Sequence, residues 1–141
     1  MDAAQKERIF SRGVAETIDE SEFVKLLDAG RPLRLKVGFD PSAPDLHLGH
    51  AVLLRKLRQL QELGHQVVII VGDWTAQIGD PSGRSALRSM LSAAQVLENA
   101  ESYLEQFSKI VDRDKTEIRM QSEWFGPFTL ANVIQLTSKF T

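Results

Sequence analysis

The chain has 141 residues, 43% of them hydrophobic and 26% charged, which is the composition of one globular domain with its own core. It has no cysteine, which excludes a disulfide framework, and no apolar stretch approaching the roughly 20 residues of a membrane span. A formal net charge of −2 provides no domain-wide basic surface for nucleic acid. We therefore expect a soluble, cytoplasmic protein with no membrane partner, whose main RNA contacts, if it has any, lie elsewhere.

The amino-terminal residues predict two helices. Residues 3–14 mix charges with apolar side chains at helical spacing, and residues 21–29 do the same before Gly30. We assign residues 1–32 to an amino-terminal helical segment. Residues 33–141 contain no repeat, low-complexity tract or linker, and are predicted to form one domain.

Three later stretches have the pattern of strands. Residues 33–39 alternate apolar and polar side chains, and Asp40-Pro41 ends the alternation. Residues 67–71 form a β-branched run, which is typical of a strand buried on both faces of a parallel sheet. A third strand is predicted at residues 116–120.

Three helices alternate with these strands, at residues 48–64, 93–111 and 130–139. The predicted inward faces of the first two carry apolar residues at helical spacing: Leu53, Leu57 and Leu60, then Leu97, Ala100, Leu104, Phe107 and Val111. Alternating strands and helices predict an α/β fold with a Rossmann-like, doubly wound parallel sheet and flanking helices.

The loops that leave the first two strands are the places to seek chemistry, because ligands bind outside the carboxyl ends of parallel strands. In the first loop, Gly38 leaves room for a ligand against the backbone, and the helix start after His47 offers free N–H groups to phosphate. Gly49 would let a base or ribose lie close to the chain. Residues 72–83 are predicted to form a second loop. Two histidines at this spacing, taken alone, are more often surface residues near a helix start. A metal site is not favoured, because the pair lacks a suitably spaced third ligand.

The wider pattern identifies a family resemblance. His47-Leu48-Gly49-His50 resembles the HIGH motif of class I aminoacyl-tRNA synthetases, and Gly38-Phe39-Asp40-Pro41-Ser42 resembles the first-strand signature of the tyrosyl enzymes. The segment Ile78-Gly79-Asp80-Pro81-Ser82-Gly83-Arg84 is similar to the loop that follows the second strand in the same family. The resemblance covers the chain from about residue 33 onward, and it implies that residues 33–141 are the first half of the nucleotide-binding catalytic domain of a class I synthetase.

The resemblance implies ATP-dependent activation of tyrosine and its transfer to tRNA, with Mg²⁺ accompanying the ATP and a homodimeric full-length parent. It implies that the catalytic residues are Ser42, His47, His50 and Arg84. It implies ATP binding by Gly38, Asp40, His47, Gly49 and His50. It implies a tyrosine pocket that includes Lys36, Thr75 and Asp80, with Asp80 receiving the substrate ammonium.

Two substitutions and one missing motif separate this chain from the family pattern. Lys36 stands where many tyrosyl enzymes have a tyrosine, and Ser42 replaces a common threonine. No segment resembles the downstream KMSKS loop, so we expect the amino-terminal part of a longer enzyme, with weak or no activity in isolation and with tRNA contacts mainly outside it. Two alternatives stay open: a small nucleotidylyltransferase, which shares a Gly-x-Phe-Asp-Pro strand end and an H-x-G-H motif, and a non-catalytic fragment or nucleotide-binding module.

Overall fold

A computed structural model describes residues 2–78 and 90–140 of the protein. The elements within these ranges, in chain order, are α1 (Ala3–Ser11), α2 (Glu20–Asp28), β1 (Arg34–Phe39), α3 (Leu48–Glu62), β2 (Gln66–Val71), α4 (Thr75–Ile78), α5 (Ala93–Ser108), a 3-10 turn (Arg113–Lys115), β3 (Thr116–Met120), α6 (Ser122–Phe125) and α7 (Leu130–Thr137). Every predicted strand and helix is present. Helices α1, α5 and α7 end earlier than predicted, at Ser11, Ser108 and Thr137.

The three strands form a parallel sheet in the order β1-β2-β3. Val37 pairs with Ile69, and Ile69 pairs with Ile118, so apolar side chains of all three strands share one face. The connecting helices α3 and α5 both pack on that face, as expected for right-handed crossovers that always step in one direction. A doubly wound sheet needs the strand order to reverse. The order of the described strands does not reverse, and the crossover helices α3 and α5 accordingly lie on one face of the sheet.

The main core lies between this sheet face and the two crossover helices. Its buried members are Phe39, Leu54, Leu57, Val67, Ile69, Val71, Ala100, Tyr103, Phe107 and Val111. The prediction that Leu53 and Leu97 face inward is wrong, since their side chains are 41% and 49% exposed. The neighbouring Leu54 and Val96 are fully buried instead. An α-helix has 3.6 residues per turn, so one sequence can present two adjacent apolar stripes. Packing against the sheet decides which stripe is buried.

The amino-terminal helices pack on a second, smaller core. Ile9 of α1, Leu27 of α2 and Leu60 of α3 are its buried members. This cluster attaches residues before the sheet to the outer side of α3, at the end remote from the carboxyl ends of the strands. The division of the chain at residue 32 stays a prediction.

A buried amide ties the end of α3 to the start of β3. Gln61 is 1% exposed, and its Nε2 donates to Thr116 Oγ1 at 2.9 Å and to the carbonyl of Asp112 at 3.1 Å. The backbone N–H of Asp112 donates back to Gln61 Oε1 at 2.8 Å. Satisfying both ends of the amide removes the desolvation cost of burying it and orders the turn that leads into β3.

Helix α7 differs from the other long helices because none of its residues is buried. Its exposed apolar residues include Leu130, Val133, Ile134 and Leu136. Among residues 2–78 and 90–140, no helix is long and apolar enough to cross a bilayer.

Candidate active site

The carboxyl ends of the three parallel strands meet at one edge of the sheet. Asp40 follows β1, Gly72 follows β2 and Gln121 follows β3. The second predicted loop is partly wrong, since Thr75–Ile78 form one turn of helix, α4, rather than irregular chain. This turn places Thr75 beside the ends of the flanking strands.

Thr75 joins the three strand ends through hydrogen bonds. Its hydroxyl donates to Asp40 Oδ1 at 2.7 Å, and its backbone N–H donates to Gln121 Oε1 at 3.1 Å. The Asp40 carboxylate lies so close to Gly72 that a Cβ there would be 1.9 Å from Oδ1. Gly72 is therefore the residue type that lets the carboxylate approach the backbone. Sequence reasoning named Asp40 and Thr75 but missed Gln121, whose only signal is its position just after a strand.

The two histidines of the first loop form one compact unit at the start of α3. Their rings stack with centroids 3.9 Å apart and an interplanar angle of 20°. The N–H of His47 donates to His50 Nδ1 at 3.2 Å, and the N–H of Gly49 donates to His47 Nδ1 at 3.1 Å. A Cβ at Gly49 would be 2.9 Å from the His47 ring, so the absence of a side chain permits this arrangement.

These hydrogen bonds determine which ring nitrogens carry protons. Because both Nδ1 atoms accept from backbone N–H groups, each neutral ring carries its proton on Nε2 and can donate it outward. Burial, and then the neighbouring His47, lowers the pKa of His50 below its ordinary value of 6.5. His50 is therefore a neutral donor at physiological pH. The start of α3 adds its own free N–H groups, so the site suits an anionic group.

Two aromatic rings, those of Phe39 and Tyr103, pack against His50 and fix its orientation. Its ring meets Phe39 at 5.6 Å and Tyr103 at 5.9 Å, both in edge-to-face geometry. Tyr103 is 4% exposed; burial, and then the Asp45 carboxylate, raises the pKa of its hydroxyl. Tyr103 lies on α5, four residues before Phe107. The apolar stripe predicted for α5 included Phe107 but omitted Tyr103.

Helix α5 also anchors the loop that leads into the histidines. Asn99 Nδ2 donates to the carbonyl of Pro41 at 3.1 Å, and Gln106 Nε2 donates to the carbonyl of Pro44 at 3.0 Å. Gln106 Oε1 accepts the N–H of Leu46 at 3.0 Å. Sequence reasoning missed both amides. Their spacing of seven residues puts them on one side of the helix, which is a weak signal that could have been noticed.

The other predicted residues are placed less closely together. Ser42 is exposed and lines a cavity of about 560 Å³ against the first half of α5. Lys36 and Gly38 lie on the sheet face away from the main core, and a Cβ at Gly38 would meet nothing nearer than 3.9 Å. Asp80 and Arg84 lie outside the described residues.

The described residues do not form a metal centre by themselves. No group of three or more histidine, cysteine or carboxylate side chains in residues 2–78 and 90–140 could hold a metal ion. The chemistry that this part of the site offers is hydrogen-bond donation to anions from imidazoles and a helix start.

Comparison with known proteins finds relatives of this chain. The family described as tRNA synthetases class I (W and Y) matches residues 28–141. The chain is 70% identical over 137 residues to a tyrosine–tRNA ligase of Dehalococcoides mccartyi (strain CBDB1), covering 97% of this chain and 35% of that protein. It is 56% identical over 141 residues to the tyrosine–tRNA ligase of Oleidesulfovibrio alaskensis, covering 100% and 36%. The chain thus spans about a third of the length of these relatives.

Solved structures agree on the fold. A tyrosyl-tRNA synthetase from Archaeoglobus fulgidus, crystallised with L-tyrosine, superposes with a TM-score of 0.76 at 23% identity, over 99% of this chain and 41% of that one. The tryptophanyl-tRNA synthetase of Plasmodium falciparum superposes with a TM-score of 0.69 at 15% identity, over 100% and 40%. Because enzymes for two different amino acids superpose this well, the backbone alone does not distinguish them.

Proposed function

The chain belongs to the class I tRNA synthetases of the W and Y group, and we propose that it provides the ATP-binding part of a tyrosine–tRNA ligase. The observation that carries the proposal is the stacked pair of His47 and His50, with both Nε2–H groups left to donate at the start of α3. We propose tyrosine rather than tryptophan as the amino acid substrate because the relatives of high sequence identity are tyrosine–tRNA ligases.

The proposed first step joins tyrosine to ATP. An oxygen of the tyrosine carboxylate attacks the α-phosphorus and forms a new P–O bond, while the bond to the bridging oxygen breaks and pyrophosphate leaves. A carboxylate is already ionised at neutral pH, so the attack needs no general base. What lowers the barrier is alignment of two anions and donors for the charge that gathers on pyrophosphate.

The site residues fit these requirements in distinct ways. We assign His47, with the Ser42 hydroxyl, to the terminal phosphates, and His50 with Gly49 to the adenosine portion. Asp40 would order the strand end beside the substrate, since Thr75 already fixes its carboxylate at 2.7 Å.

The remaining roles rest on the family resemblance. Thr75, Lys36 and Asp80 would line the tyrosine pocket, Asp80 receiving the ammonium group, and Arg84 would approach the leaving pyrophosphate. The open face of β1, where Lys36 lies, supports a position for that side chain near a ligand.

Mg²⁺ enters the proposal as part of the substrate. The ion would be held mainly by phosphate oxygens and water, as Mg²⁺ commonly is. We further propose that the complete protein is a cytoplasmic homodimer that contacts tRNA mainly outside residues 1–141. The exposed apolar side of α7 supports burial against more protein.

A hybrid enzyme tests the function. This chain would replace the matching segment of the Dehalococcoides mccartyi relative, to which it is 70% identical. We expect exchange of pyrophosphate into ATP that depends on tyrosine. Exchange that depends on tryptophan, or on phosphopantetheine as for a nucleotidylyltransferase, would refute the proposal.

Substitution of His50 tests the observation on which the proposal rests. In the hybrid, His50→Asn should slow tyrosine activation, because the substitution removes a group that we assign to holding the adenosine portion of ATP. Leu53→Asn, an exposed position on the same helix, serves as the control and should leave the rate unchanged. An unchanged rate in His50→Asn would remove this residue from the site.

A further inference from the structure

A strongly basic groove lies between the end of α1 and the outer side of α3, away from the histidine pair. We call it the α1–α3 groove; it encloses about 410 Å³, and its basic lining residues are Arg8, Arg12, Arg55, Lys56 and Arg58. Glu62 is the acidic residue in the same lining. The chain as a whole has 17 basic and 19 acidic residues, so this local excess does not follow from composition.

Two of the five cations are used by the fold. Lys56 Nζ donates to the carbonyl of Ile9 at 2.8 Å and to that of Arg8 at 3.3 Å, which satisfies free carbonyls at the end of α1. Arg58 Nε donates to Glu62 Oε1 at 3.2 Å, which neutralises the acid of the groove.

The other three cations have no such use. Arg8, Arg12 and Arg55 are exposed, and none forms an ion pair with another residue of the described ranges. Burial, and then the positive charges of Arg8 and Arg12, lowers the pKa of Lys56. The cations of the groove therefore repel one another, and an anion bound there would relieve that repulsion.

We propose that the α1–α3 groove binds the phosphodiester backbone of an RNA through Arg8, Arg12 and Arg55. Guanidinium groups suit this role because each can donate two parallel hydrogen bonds to a phosphate. Arg8 and Arg12 precede residue 28, where the family match begins, so that match does not cover the α1 side of the groove. Its RNA partner rests on the proposed function, which requires an RNA substrate.

The position of the groove relates it to the site. Val52, which also lines the groove, lies two residues after His50 on the same helix. An RNA strand that follows α3 from Arg55 toward Val52 therefore runs toward the start of the helix, where the adenylating groups lie.

Fluorescence anisotropy with a short labelled RNA hairpin tests the groove on the 141-residue chain itself. The variant R8A/R12A/R55A is compared with K25A/K109A/K139A, which removes the same number of positive charges from exposed sites elsewhere. Three phosphate contacts predict that affinity of the unmodified chain falls about 40-fold between about 50 and about 200 mM salt. We expect the arginine variant to bind at least about tenfold more weakly at low salt and to lose most of this salt dependence, while the lysine variant retains both.

Two results would overturn the proposal. Equal weakening in both variants would mean that only net charge matters. Displacement of the RNA by polyglutamate as readily as by unlabelled RNA would indicate an acidic protein partner instead.

The hybrid enzyme separates this proposal from the proposed function. Pyrophosphate exchange needs no tRNA, so R8A/R12A/R55A should leave it unchanged, while the KM for tRNA in aminoacylation should rise about tenfold. An unchanged KM would overturn the groove as a tRNA surface. Absence of exchange in the unmutated hybrid would count against the proposed function, and the anisotropy comparison would still decide whether the groove binds RNA.

Discussion

Replacing Gln106 with leucine should release the loop that presents the histidine pair while leaving the domain folded. Gln106 connects α5 to this loop at two points, accepting the N–H of Leu46 at 3.0 Å and donating to the carbonyl of Pro44 at 3.0 Å. Leucine has a similar volume, so the substitution removes the two hydrogen bonds without opening a large cavity. The substitution also removes the bonds that Gln106 Nε2 donates within α5, to the carbonyl of Ser102 at 3.3 Å and to Ser102 Oγ at 3.0 Å.

The size of the effect on the loop follows from the two bonds that Gln106 makes with Leu46 and Pro44. A net contribution of about 0.5–1.5 kcal/mol for each gives about 1–3 kcal/mol in total. Because about 1.4 kcal/mol corresponds to a factor of ten, the population with the loop detached should rise about 5- to 150-fold. Leu46 should report this change directly, since its amide loses its acceptor.

Amide hydrogen exchange measured by NMR gives the test. In Gln106→Leu, exchange at the Leu46 amide should accelerate by the same factor, while amides in β2 keep their protection. Gln135→Leu on the exposed side of α7 is the matched control and should change neither. Unchanged Leu46 exchange in Gln106→Leu would show that the hydrogen bonds of Gln106 do not hold the loop.

Three further outcomes are expected. Gly72→Ala should force the Asp40 carboxylate, only 1.9 Å from the new Cβ, out of its hydrogen bond; tyrosine activation in the hybrid should fall, while urea unfolding shifts by less than about 1.5 kcal/mol. Phe107→Ala should lower the free energy of unfolding by about 3–5 kcal/mol, and the half-exposed Leu97→Ala by much less; equal losses would contradict the observed core. Burial lowers the pKa of His65 below 6.5, so as the pH falls the imidazole is protonated in the unfolded chain before it is protonated in the folded one, and the free energy of unfolding should fall below that pH. His65→Gln should weaken this pH dependence in urea titrations. An identical pH dependence in the variant would contradict this role of His65.

Residues close in sequence account for what could be predicted. The strand pattern of residues 116–120 and the histidine motif at residues 47–50 depend on local periodicity and on a helix start, so both were accessible without coordinates. Periodicity was insufficient to choose Leu54 over Leu53, because the two lie on adjacent stripes of the same helix. The one-turn helix at Thr75 was equally inaccessible, since turn-forming composition also describes an irregular loop.

By itself, the sequence determined the alternation of strands and helices, the position of the loop at the first strand end, and the set of motifs that carries the family resemblance. Only the tertiary structure decided which distant groups complete the site and its surroundings. The bond from Thr75 to Asp40 spans 35 residues, and the bond from Leu46 to Gln106 spans 60. The α1–α3 groove likewise exists only because α1 packs on α3. Local patterns follow from the conformational preferences of neighbouring residues, whereas these contacts depend on strand register and helix packing, which no short stretch of sequence specifies.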